Sequence, residues 1–73
     1  MTDEKFKSLF AERVNSQLQD GYFPLVYSTS GNVLFAKLRH RTNENVIKIY
    51  GYLVSHQLDQ FTNGRLKYTA IFP

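Results

Sequence analysis

Between Val33 and Val54 the chain alternates apolar and polar residues on either side of a short polar loop, and little but a β-hairpin satisfies that pattern. One parity holds Leu34, Ala36, Leu38, Ile47, Ile49 and Leu53. The other holds Phe35, Lys37, Arg39, Lys48, Tyr50 and Tyr52. The first set reads as a core face. The second is aromatic and basic, and it is the main functional clue in the chain.

The flanking segments are read against this hairpin. In Thr2 to Asp20, residues Phe6, Leu9, Phe10, Val14 and Leu18 repeat with the 3.6-residue period of an amphipathic helix. Thr2 suits the N-cap, Asp3 and Glu4 suit the positive end of the helix dipole, and Gly21 suits the residue just past the C-terminus. Tyr22–Tyr27 reads as a strand with Phe23, Leu25 and Tyr27 inward; Pro24 places it at a sheet edge. Closing its turn on Ser30-Gly31 sets Tyr27 opposite Leu34, Leu25 opposite Ala36 and Phe23 opposite Leu38. Closing the next loop on Thr42–Asn45 sets Leu38 opposite Ile49, Ala36 opposite Gly51, Leu34 opposite Leu53 and Arg39 opposite Lys48. Gly51 then leaves a gap that Phe6 or Phe10 can fill.

Residues 55–64 admit two readings. Asn63-Gly64 is a strong hairpin signal that pairs Phe61 with Leu66 and Thr62 with Arg65, whereas the polar run Ser55–Phe61 also suits a helical turn. Arg65–Phe72 closes the sheet, with Leu66, Tyr68, Ala70 and Phe72 inward. The expected architecture is α+β: one N-terminal helix on a four-stranded antiparallel sheet, largely a meander, forming a single domain over 1–73. The expected core is Phe6, Leu9, Phe10, Val14, Leu18, Phe23, Leu25, Leu34, Leu38, Ile47, Ile49, Leu53, Leu66 and Phe72.

Several classes of chemistry find no residues to carry them. With no cysteine there is neither a disulfide nor a thiolate metal site; the core must come from packing. His40 and His56 lack the spacing of a metal pair, the six carboxylates are scattered, and no nucleophile or phosphate-loop motif occurs. No catalytic residue, cofactor or metal is expected. No apolar run approaches the roughly 20 residues of a membrane span, and residues 1–7 do not form a signal sequence, so a cytoplasmic protein is expected.

Charge is unevenly spread. The formal net charge is +3, but residues 1–20 hold three cations against four carboxylates, and residues 21–73 hold six against two. The basic excess therefore belongs to the strands. The candidate binding face is Phe35, Lys37, Arg39, Lys48, Tyr50 and Tyr52, with Arg65 and Lys67 alongside. Aromatics with arginine are typical anchors of protein interfaces, and a symmetric dimer would add core to a short chain. A protein partner or a homodimer is therefore the first expectation, and single-stranded nucleic acid, stacked on the aromatics and paired with the cations, is the alternative. The segment 48–54 does not carry the RRM signature, and the βαββαβ order is absent. Small cysteine-free chains of this kind are frequent among accessory proteins of phages and mobile elements, an analogy of size and composition alone.

Overall fold

A computed structural model describes residues Met1–Pro73. Helix α1, Asp3–Gln19, precedes five strands: β1 Tyr22–Ser30, β2 Val33–His40, β3 Val46–Tyr52, β4 Gln57–Thr62 and β5 Arg65–Ile71. They form one antiparallel sheet in the order β1-β2-β3-β4-β5. The α+β class and the meander match the expectation, but the strand count does not. Residues 57–62 add a fifth strand, because the Asn63-Gly64 hairpin continues into a pairing with β3 rather than into a helical turn. Both loop residues take positive φ (51° and 81°), as a type I′ turn requires. No helix is long and apolar enough to cross a membrane.

The helix begins as its sequence suggests. Thr2 Oγ1 accepts from Lys5 N–H at 3.1 Å, a cap contributing about 1 kcal/mol. It ends at Asp20 and at Gly21, whose φ of +97° ends the helix in the left-handed region. Its buried stripe, Phe6, Phe10, Val14 and Gln17, covers one face of the sheet. The fit is closest at Gly51. A Cβ there would lie 2.9 Å from Phe10 Cδ2 and 3.3 Å from Phe6 Cε2, so the two rings occupy the gap expected for them. The two histidines hold the helix ends. His56 Nε2 lies 2.8 Å from Asp3 Oδ1, and His40 Nε2 lies 3.1 Å from the Asp20 carbonyl oxygen. His40 Nδ1 accepts from the N–H groups of Thr42 and Asn43, which makes Nε2 the donor to Asp20.

Both hairpin registers differ from the expected ones by two residues where the strands are regular. The first loop closes on Gly31-Asn32, so that Tyr27 faces Ala36 and Ser30 faces Val33. Gly31, with φ +58°, stands where a two-residue loop needs a positive φ. In the second hairpin His40 N–H bonds to Asn45 O, and Leu38 faces Ile47, Ala36 faces Ile49 and Leu34 faces Gly51. The Asn63 side chain sets this loop. Its Oδ1 accepts from Val46 N–H and its Nδ2 donates to Asn45 Oδ1. A two-residue slip leaves every side chain on its expected face.

Two bulges do change faces. In β1 the register shifts between Pro24 and Val26, leaving Leu25 unpaired; Tyr22 then points into the core and Phe23 away from it. In β5 Gln60 faces Tyr68 while Phe61 faces Leu66, leaving Lys67 unpaired and putting Leu66 on the open side. Leu25 and Leu66, expected in the core, are therefore exposed. The observed core is Phe6, Phe10, Val14, Tyr22, Leu34, Ala36, Leu38, Ile47, Ile49 and Leu58, with Leu18, Leu53, Tyr68 and Phe72 packed against it.

The strand β4 looks polar because two of its neighbours on the helix are polar too. Gln60 is buried. Its Oε1 accepts from Arg13 Nε at 2.7 Å and its Nε2 donates to Gln17 Oε1 at 3.3 Å, while the Arg13 guanidinium lies 3.8 Å from the centre of the Tyr68 ring. Gln60→Ala leaves these partners without it in a dry site. The expected cost is about 1–3 kcal/mol, measured as a lower urea midpoint.

Candidate nucleic-acid interface

The helix covers one face of the sheet and leaves the other open. Strict alternation in β2 and β3 places Phe35, Lys37 and Arg39 beside Lys48, Tyr50 and Tyr52 on that open face. The register decides which residues meet. Phe35 faces Tyr50, with ring centres 5.0 Å apart, and Lys37 faces Lys48. The like-charged cross-strand pair is thus two lysines, instead of the expected Arg39 and Lys48; Arg39 faces Val46.

Tyr50 is the centre of an aromatic cluster. Besides Phe35 it meets Phe61 edge-on at 5.8 Å and lies parallel to Tyr52 at 6.3 Å. Phe61 is the member of this aromatic cluster that sequence reasoning missed. It arrives on β4, directly opposite Lys48. The Asn63-Gly64 turn had already paired it with Leu66, and extending β4 along β3 would have revealed its place.

Arg65 and Lys67 are not brought to this cluster. Arg65 faces Thr62, which faces the buried Ile47, so it lies on the helix side of the sheet, and Lys67 is the unpaired bulge residue. Together with Asn45, Thr62 and Asn63 they line a second, polar cleft.

The electrostatics of the open face are one-sided. The carboxylates that meet a basic side chain are Glu4, beside Lys7, and Asp3, beside His56, so Lys37, Arg39 and Lys48 have no carboxylate partner. Asp59 is the one acidic residue on this face, and its Oδ1 accepts from Thr69 Oγ1 at 2.6 Å and Gln57 Nε2 at 3.0 Å. Lys37 and Lys48 instead line an open cleft of about 290 Å³ with Val46, Phe61, Asn63 and Gly64. Two unpaired ammonium groups beside an aromatic edge can hold an anion and stack a flat ring next to it.

Burial raises the Tyr52 hydroxyl above its ordinary pKa of 10.0, and the negative charge of Asp59 and the neighbouring Tyr50 push in the same direction. A raised acid pKa favours the neutral phenol in the folded chain. The stability this contributes is complete below pH 10.0 and is lost as pH rises through the folded value. Tyr52→Phe is expected to flatten the fall of the thermal midpoint above that pH, and an unchanged slope would show that the phenol does not contribute.

Compared with protein-family models, curated proteins and solved structures, the chain matches none.

Proposed function

We propose that this chain is a binding module, not an enzyme, and that its open sheet face takes single-stranded nucleic acid. The observation that carries the reading is the Lys37–Lys48 pair, directly opposed, without a carboxylate, at the edge of the Tyr50 cluster. Like charges facing each other across strands cost stability, and a phosphate between them reverses the sign of that term. The rings of Phe35, Tyr50, Tyr52 and Phe61 are half-buried, which leaves edges and faces for bases. A face-to-face homodimer is less well supported, because closing the face would desolvate Lys37, Arg39 and Lys48 with only Asp59 to meet them.

The test is fluorescence anisotropy of short labelled RNA and DNA strands. With about three phosphates neutralised, log affinity is expected to fall with log salt at a slope of about −2. No binding to any strand at low salt would end this reading. One observation favours a protein partner on the same face instead: Leu66 (53% exposed) and Ile71 (72% exposed) extend the aromatic cluster as an apolar rim. In that case binding would be insensitive to salt and abolished by Ile71→Asp.

A further inference from the structure

A meander leaves both outer strands of its sheet unpaired, and here the two edges are protected differently. The β5 edge carries Arg65, Lys67 and a bulge, the usual guards against pairing with another chain. The nine residues of β1 hold no charge. Its guards, Pro24 and the Leu25 bulge, stand in its first half, and nothing protects Val26 to Ser30. Leu25, Val26 and Tyr27 are 48%, 44% and 58% exposed.

The backbone shows which groups are free. In a two-residue hairpin the residues flanking the loop exchange both hydrogen bonds, here Ser30 and Val33. Alternation makes Ser28–Phe35 and Val26–Lys37 bonded pairs as well. The N–H and C=O groups of Tyr27 and Thr29 therefore point away from β2, outward in the plane of the sheet.

We infer that β1 pairs antiparallel with β1 of a second copy about a two-fold axis, joining the two sheets edge to edge. A two-fold seam sets like segments against each other, and an uncharged strand tolerates this where β5 would oppose its own cations. Val26 lies on the open face and Tyr27 on the helix side, so both sides of the seam become apolar. The absence of any cation on β1 argues against a nucleic-acid strand at this edge. The need for added burial is real, since 13 of 73 residues are buried. The seam does not use Lys37 or Lys48, so it stands whether or not nucleic acid binds the face.

Light scattering at about 100 µM is expected to give twice the chain mass of 8.5 kDa. Val26→Lys, which sets two ammonium groups near the axis, and Tyr27→Pro, which removes an outward N–H that the β2 ladder does not use, are each expected to give a monomer with unchanged circular dichroism. Amide exchange is a check that needs no variant: protection of Tyr27 and Thr29 should rise with protein concentration. A monomeric wild type, a dimer that survives both substitutions, or fast exchange of both amides at about 1 mM overturns the inference.

Discussion

Phe6→Ala is expected to lower the urea midpoint by about 3 M or more. Phe6 is fully buried. Its ring lies 6.1 Å from Phe72, 5.1 Å from His56 and against the Gly51 backbone, so it joins the helix to β3, to the β3–β4 turn and to the end of the chain. Truncating a buried phenylalanine costs about 3–5 kcal/mol. A domain of this size has a total stability of roughly 4–11 kcal/mol at the usual per-residue values, and a urea slope near 1 kcal/mol per molar. The substitution therefore removes between about a quarter and all of the folding free energy. A shift below about 1 M would mean that the helix settles onto the sheet and closes the cavity. Gly51→Ala tests the same contact from the opposite side. Its methyl group must displace a ring 2.9 Å away, and overpacking of that kind costs about 1–3 kcal/mol.

Lys37→Glu combined with Lys48→Glu is expected to abolish binding of single strands. The exchange replaces two unpaired ammonium groups with two carboxylates at the cleft that also holds Phe61. Each single Lys→Ala change should flatten the salt slope by about 0.7. Tyr50→Ala should instead weaken binding by about 5- to 150-fold with the slope unchanged, the loss of one stacked base at about 1–3 kcal/mol. This split between charge and stacking is the useful part of the experiment, because a variant that merely unfolds lowers both together. Lys48 is exposed and Lys37 half-buried, and neither joins the core, so circular dichroism should be unaltered.

The parity of side chains was legible from sequence, and their partners were not. Alternation in β2 and β3 assigns Phe35, Lys37, Arg39, Lys48, Tyr50 and Tyr52 to one face, and a register error of two residues cannot disturb that assignment. The same insensitivity hid the Lys37–Lys48 pairing, because both registers place apolar against apolar on the other face. Only the turn decides between them, through Gly31 in one hairpin and the Asn63 side chain in the other. Bulges were invisible for a different reason. A single unpaired residue at Leu25 or Lys67 leaves the local composition unchanged while moving Phe23 and Leu66 across the sheet. Strand β4 was obscured by Gln60, a polar residue at an inward position, whose partners Arg13 and Gln17 come from a helix more than 40 residues away. The gap at Gly51 was readable because it depends on side-chain size alone.

The contacts that fix the start of the helix also bring the two ends of the chain together. Asp3 meets His56, His56 O accepts from Phe72 N–H at 3.0 Å, and the rings of Phe6 and Phe72 touch. Residue 1 and residue 73 therefore leave from one corner of the sheet, where Tyr52, Gln57 and Ile71 lie abreast. Lys37, Lys48 and Phe61 lie further down the same strands, toward the opposite end. Anything joined to either end, a tag, a surface linker or a neighbouring domain, is thereby held away from the lysine cleft, and the molecule can be tethered by both ends at once with that surface still turned outward.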